Sequence, residues 1–542
     1  MSLSRETYPG HDYSLSQLLH AMKRKLQHTA FDGRVVTTVN RIEANTLEQD
    51  ALEVLCLVRS LKNSLAPINK IPPEVLSLLP DYCGKGDDDR DLIKLTHVCR
   101  GWRELFTTRS SLWTQLDFRN VEKTRAYIQR SKYSPLELSL KNCDGASYTD
   151  EATSLMVPHI HRLKSLTVFA KILPEVFEHC FCAAPLLEEL DICVAGSRDP
   201  VLDSALFNGD LSTLRVLSLY GVTTHLPWRT LANLRALTLG SWGPKHGVTQ
   251  LLDIFESSPL LQTVSLEDSV PELSDAPPER IVSLPHLKSL TLTADPPHSI
   301  LLNHLCVPVG ASLTSWSIFS GEESPLLDYL PDRSPNFKNL SCITSVNLSF
   351  RSTQKFVRLC GPSGNLHLLA HWEGGAEFSS YVVDHRVLFS LSPPILSKTE
   401  RLSISKYKHS GPAKVEDCLV FRALSSTKSL RALVLVKCHT LPFILALNPE
   451  ENPSKLMLCP NLKELHFYNQ SSKDLQIGHL VRMAKSRALR GAKLSSISIV
   501  GLRGFVPGRG VSKLRAHIVH LECRSDDASP AWDSVPGESS YD

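Results

Sequence analysis

From about Ile42 the chain places apolar residues at regular steps. Leu47, Ala51, Val54, Val58, Leu61 and Leu65 follow one another by 4, 3, 4, 3 and 4 residues, a heptad-like stripe that predicts an amphipathic helix over 42–66, ended by Pro67. Such a helix either pairs with a second copy as a coiled coil, making a dimer through 42–66, or packs on its own neighbours. About three heptads without clear charge pairing beside the stripe favour the second. Residues 1–41 are mixed and polar and are expected to be poorly ordered, although LSQLLHAMKRKL (15–26) carries a helical pattern.

Residues 67–118 read as a small helical domain. INKIPPEVLSLL (68–79) opens a helix with Pro72 and Pro73 in its first turn, where a missing N–H is harmless, and Glu74 beside the positive end of the dipole. A residue before proline is pushed to extended geometry, so Ile71 is expected to project off the helix end. In DLIKLTHVCRGWRELF (91–106), Leu92, Leu95, Cys99, Trp102 and Phe106 recur at steps of 3, 4, 3 and 4 and predict one helix with one apolar face, preceded by Asp87, Asp88 and Asp89 as a cap. Gly101 weakens it by about 1 kcal/mol relative to Ala. Ser110 or Ser111 is expected to cap a third helix carrying Leu112, Trp113 and Leu116. A core this small is expected to be completed by another surface.

From about Leu136 the period changes. RLKSLTV (162–168), LLEELDI (186–192), TLRVLSL (213–219), NLRALTL (233–239), LLQTVSL (260–266) and HLKSLTL (286–292) share the frame L-x-x-L-x-L. It returns at SLTSWSI (312–318), CITSVNL (342–348), SLRALVL (429–435), NLKELHF (461–467) and KLSSISI (493–499). The steps from Leu163 to Leu187, Leu214, Leu234, Leu261 and Leu287 are 24, 27, 20, 27 and 26 residues, the lengths of a leucine-rich repeat. The x positions hold Arg, Lys, Ser, Thr and Glu, so alternate residues face water while the leucines face a shared core that one strand cannot bury alone. The expected fold class is α/β: an irregular leucine-rich-repeat solenoid, a horseshoe over 130–523, preceded by a small all-α unit and the N-terminal helix. Cys438 and Cys143 fall where such repeats carry Asn or Cys, most copies lack that residue, and 350–400 keep the frame poorly. The tail 524–542 is Ser/Pro-rich and acidic and is expected to be disordered.

At 542 residues the chain exceeds one ordinary core. Lys+Arg 59 against Asp+Glu 56 leaves a net charge of +3, without the clustered excess that would bind nucleic acid or an anionic membrane; Lys23-Arg24-Lys25 is too short to count. The opening MSLSRETYPG lacks the apolar core of a secretory signal, and the longest apolar run, LPFILAL (441–447), is far short of a span. The 14 cysteines include no C-x-x-C pair, which reads as buried reduced thiols in a cytoplasmic and/or nuclear protein.

Catalytic and metal-binding patterns are weak. His159 with His161, and His179 with Cys180 and Cys182, find no second ligand pair at zinc-like spacing. GLRGFVPGRG (501–510) lacks the phosphate-loop Lys, GDDDRD lacks calcium-loop spacing, and GPSGN is not a nucleophile elbow. His367 and His371 stand at i, i+4 without the following Glu of a metallopeptidase helix. No enzyme, cofactor or metal is expected.

IPPEVL, DLIKLTHVCRGWRELF and SSLW together resemble an F-box, and with the downstream repeats the chain resembles the large group of fungal F-box proteins with leucine-rich tails. The family's opening Leu-Pro matches Ile71-Pro72, its V-C-x-x-W core matches Val98, Cys99 and Trp102, and its closing Leu-Trp matches Leu112-Trp113; APIN and LDF flank them in the family's manner. The motif docks a substrate receptor onto the Skp-type adaptor of cullin–RING ubiquitin ligases. The resemblance therefore implies adaptor binding by Ile71, Pro72, Leu76, Leu92, Val98, Cys99, Trp102, Leu112 and Trp113, and capture of a protein substrate by the repeats. Of the two tryptophans, Trp102 is expected to pack within the unit and support the adaptor contacts, with Trp113 near the rim. Ser218 and Thr238, between the last two leucines of neighbouring repeats, are candidate substrate contacts, with Arg215 and Arg235 adding positive charge nearer the strand starts. The interval SLLPDYCGKGDDDRD (77–91) is longer than the family's and Pro80 truncates the first helix, so a non-catalytic interaction scaffold without a ubiquitin-ligase role stays open.

Overall fold

The computed structural model describes residues 17, 20–24, 27, 41–82, 90–118, 120–141, 151, 154–171, 180–196, 200–226, 228–241, 247–267, 275–293, 299–319, 342–350, 354–361, 365–372, 397–405, 420–421, 423–452, 455–470, 475–502 and 509–524. Asp87–Asp89, Cys143, His179, most of the 1–41 region, the tail beyond Arg524 and much of 350–400 lie outside the described residues. The chain divides into two compact units, Met1–Leu112 and Trp113–Asp542.

In the first unit the heptad stripe forms helix α1, Arg41–Ser64. Its residues 44–64 and the following Leu65 are all solvent-exposed, so the favoured expectation that the stripe packs on neighbours in the chain does not hold. A 3-10 turn over Pro67–Lys70 follows, then α2 (Pro73–Leu76), α3 (Leu79–Tyr82), α4 (Arg90–Thr96) and α5 (Arg100–Thr108). Pro80 sits in the first turn of α3, where it starts a new helix instead of extending α2.

The single helix expected over 91–106 is two, because the backbone opens at Cys99 (φ −158°, ψ 173°). Thr96 bends its hydroxyl back to the carbonyl of Ile93 at 2.7 Å, a bond that competes with the helical ladder. Arg103 then donates to the freed Thr96 carbonyl at 3.1 Å. The break leaves Val98 out in solvent while Cys99 stays against the core. The third expected helix is only the 3-10 turn Ser110–Trp113.

The second unit is mixed α/β and carries a large sheet, seventeen strands among the described residues. In chain order these are β1 (Gln115–Asp117), β2 (Leu136–Lys141), β3 (Leu163–Ala170), β4 (Glu189–Val194), β5 (Val216–Tyr220), β6 (Ala236–Gly240), β7 (Thr263–Glu267), β8 (Ser289–Thr293), β9 (Ser312–Phe319), β10 (Ser345–Phe350), β11 (Gln354–Cys360), β12 (Asn365–Trp372), β13 (Arg401–Ser405), β14 (Ala432–Val436), β15 (Glu464–Tyr468), β16 (Ser496–Val500) and β17 (His520–Arg524). Strands β1 to β9 pair in chain order, all parallel, and so do β13 to β17.

Each copy of the L-x-x-L-x-L frame supplies one strand, and the register aligns like with like. Leu116, Leu138, Leu166, Leu190, Leu217, Leu237, Val264, Leu290 and Leu313 form one buried row across β1 to β9. Leu402, Leu433, Leu465, Ile497 and Leu521 form the corresponding row across β13 to β17. The frame fails near 350–400 because the chain reverses there: β10, β11 and β12 are an antiparallel meander, with β12 parallel to β9 and β10 parallel to β13.

Successive repeats are tied by backbone and buried side chains. Arg487 is fully buried on the helix Ile477–Leu489 and donates to the carbonyls of Leu458 and Cys459, both at 2.8 Å. Burial pulls its guanidinium below the usual arginine range and pushes the Cys459 thiol up to about 11. Gly221 leaves β5 at φ 64°, and its N–H donates to the Gly240 carbonyl at 2.9 Å. A Cβ at Gly221 would fall inside van der Waals contact with the Val194 carbonyl of the preceding repeat. Gly221→Ala therefore combines overpacking with left-handed strain and should cost roughly 2–5 kcal/mol. Hydrogen exchange should report faster amide loss in β4 and β5, with the helical unit unchanged.

Candidate functional site

The helical unit packs around three buried side chains: Leu76 from α2, and Trp102 and Phe106 from α5. Leu79, Leu95, Cys99, Leu105 and Leu112 lie against them, partly buried. Trp102 meets Phe106 edge-on, ring centroids 5.6 Å apart at 82°. Its indole N–H donates to Asn69 Oδ1 at 2.6 Å, and Asn69 Nδ2 donates to the carbonyl of Asn63 near the end of α1 at 2.6 Å. Asn69 thus satisfies the one polar atom of the buried indole and ties the core to the preceding helix. Sequence periodicity gives no sign of this, since a polar residue in a 3-10 turn between two apolar patterns looks like loop. Arg109 closes the unit by donating to the Ser77 carbonyl.

Around this core several apolar side chains are exposed. Ile71 adopts φ −67°, ψ 137° ahead of Pro72 and is 37% exposed, while Val98 is 51% exposed. Ile68, Val75, Leu78 and Tyr82 are exposed as well. Of the residues singled out for adaptor binding, Ile71, Pro72 and Val98 face solvent. Leu92, Cys99 and Leu112 are half-buried, and Leu76 and Trp102 are core.

Trp113 belongs to the other unit. It is fully buried, with Tyr127 edge-on at 4.8 Å and the Arg130 guanidinium 4.4 Å from its ring centroid. Both partners lie on the helix Val121–Ser131. Trp113-Thr-Gln-Leu116-Asp-Phe118 repeats the strand frame with aromatic ends, and Leu116, expected on a helix, is instead register partner of Leu138. That signal is present in the sequence and marks the start of the repeats about twenty residues before the aliphatic copies.

On the polar face of the sheet, Ser218 and Thr238 are direct register partners. They stand in a row running Asp117, Ser139, Thr167, Asp191, Ser218, Thr238, Ser265, Thr291 and Thr314, every member half-buried. Arg215 and Arg235 are exposed but precede β5 and β6 by one residue, so alternation gives the shared face to Val216 and Ala236 instead. Arg215 lies 3.7 Å from Glu188.

Burial, with Cys182 nearby, pushes the Cys180 thiol up to about 12, so it is no thiolate near neutral pH. Burial, Arg162 and His161 all hold His159 below the ordinary histidine range. His367 and His371 lie on strand β12, where four residues span about 13 Å, not on a helix. Among the described residues no group of three His, Cys, Asp or Glu side chains is placed to hold a metal ion, and no helix is long and apolar enough to cross a membrane.

In comparisons with known proteins, no family model matches the chain and no curated protein matches it significantly.

Truncating a buried tryptophan costs about 3–5 kcal/mol, most of what a core this small holds. Trp102→Ala should open the first unit, seen as protease cleavage near Arg100 and Arg103. Trp113→Ala should leave that segment resistant and loosen β1 and the helix Val121–Ser131, read by hydrogen exchange.

Proposed function

We propose that this protein is a substrate-recognition subunit of a Skp–cullin–F-box type ubiquitin ligase, the helical unit binding the adaptor and the repeats binding a protein substrate. The observation that carries the reading is Ile71. At the position of the family's opening leucine, an apolar side chain is held in solvent by the proline after it, beside a core of three residues. Exposed Val98, in the V-C-x-x-W segment, supports it. Trp102 then acts through the core, shaping the surface that carries Ile71, Pro72 and Val98. In this reading the second unit is a leucine-rich-repeat solenoid whose polar strand face, with Ser218 and Thr238 at its middle, meets the substrate.

The chain itself performs no chemistry in this account. It brings substrate lysines to a ubiquitin-loaded enzyme, so that transfer is driven by effective concentration. The alternative, a scaffold without ligase role, has the length of the 77–91 interval in its favour. It separates from the main reading by adaptor binding without substrate ubiquitination.

Ile71→Asp with Pro72→Ala should abolish co-purification of the Skp-type adaptor while the sheet unit keeps its fold by circular dichroism. Undiminished capture would overturn the adaptor assignment. Ser218→Glu with Thr238→Glu should change the set of captured substrates and leave adaptor binding intact; an unchanged set moves substrate recognition away from the middle of the polar strand face.

A further inference from the structure

Helix α1 is the largest element without a covering surface. It runs 24 residues, and Leu47, Leu52, Val54, Leu55, Leu57, Val58, Leu61 and Leu65 are all exposed on it or just past its end. A stripe of this kind is stable in water when something covers it. The charges beside the stripe indicate what that is.

In heptad terms Ala51, Val58 and Leu65 are a positions, and Leu47, Val54 and Leu61 are d positions. The flanking e positions are Glu48, Leu55 and Lys62; the flanking g positions are Asp50, Leu57 and Ser64. In a parallel pair each g residue faces an e residue five further along the other helix. Asp50 would meet Leu55 and Leu57 would meet Lys62, with no ion pair and two charges set against leucine. An antiparallel pair aligns a with d, e with e and g with g. Leu47 then opposes Leu65, small Ala51 opposes Leu61, and Val54 opposes Val58, each layer occurring twice about the two-fold axis. Glu48 faces Lys62 at both ends, Leu55 and Leu57 each meet their own copy near the axis, and no like charges are opposed. Within one chain Glu48 and Lys62 lie fourteen residues, about 21 Å, apart along the helix and cannot pair.

We propose that α1 is an antiparallel homodimerisation helix: its occupant is α1 of a second copy of this chain, in the register that places Glu48 against Lys62 of that copy. The self-complementary pattern makes the interface isologous and closed, so association stops at two chains. The inference does not depend on the ligase reading, since the adaptor residues lie after Pro67.

Sedimentation equilibrium of the full chain tests it. Wild type should show a reversible monomer–dimer equilibrium. Glu48→Lys and Lys62→Glu should each weaken the dimer about tenfold, because either change opposes like charges at both ends of the pair. Combining them should bring the dimer constant back to within about threefold of wild type, since the exchanged charges again face each other. The double variant carries the same helix-dipole penalties as the singles, so recovery cannot come from helix stability. A chain that stays monomeric at its solubility limit, a dimer indifferent to both single changes, or a double variant no tighter than the singles would each overturn the antiparallel pairing.

Discussion

A strand with leucine at every second position has one apolar face that it cannot cover by itself, and the large sheet rests on that constraint. Leu217 and Leu219 of β5 are fully buried only because β4 and β6 bring Leu190 with Ile192 and Leu237 with Leu239 to the same levels. Backbone pairing sets the spacing and the leucines set the register, since a slip of one residue would turn every leucine to water. Burial of a leucine side chain is worth about 1.5–3 kcal/mol, so the aligned rows outweigh the irregular lengths of the connections between them.

The same constraint explains what interrupts the array. The antiparallel meander β10–β12 stands between two parallel runs and shares strand edges with both, β12 with β9 and β10 with β13. The apolar row therefore continues through β11 and β12, whose sequences lack the frame. Glycines and buried arginines handle the turns between copies. Gly221 lets one turn approach the carbonyl of the last, and Arg487 supplies donors to carbonyls that no strand can reach.

The helical unit works at the opposite limit. Its core is Leu76, Trp102 and Phe106, a quantity of buried apolar surface that leaves little margin. The chain breaks at 97–99, where the Thr96 hydroxyl bonds the Ile93 carbonyl and the backbone opens at Cys99, and Val98 is left exposed. Proline geometry does the same for Ile71. Apolar groups therefore stay exposed around an economical core, and α1 shows the same economy on a larger scale.

Periodicity is a local property, and what depends on it was legible in the sequence: the strand at each L-x-x-L-x-L copy, helix α1 and its end shortly before Pro67, the extended geometry of Ile71, and the pairing of Ser218 with Thr238. The polar alternation that marks one sheet face needs no knowledge of neighbours. Three things needed the tertiary structure. The 91–106 stripe reads as one helix, because its spacing cannot report a hydroxyl that prefers the Ile93 carbonyl. Trp113 reads as the end of the helical motif, but the nearest large surface for its ring is the helix Val121–Ser131, and packing assigns it to the sheet. Asn69 has no periodic signature at all; it matters because a buried indole N–H thirty-three residues away must find an acceptor. Sequence determines which faces are apolar, and only the folded chain decides which of them meet, because hydrogen-bond partners and packing surfaces are set by proximity in space and not by spacing along the chain.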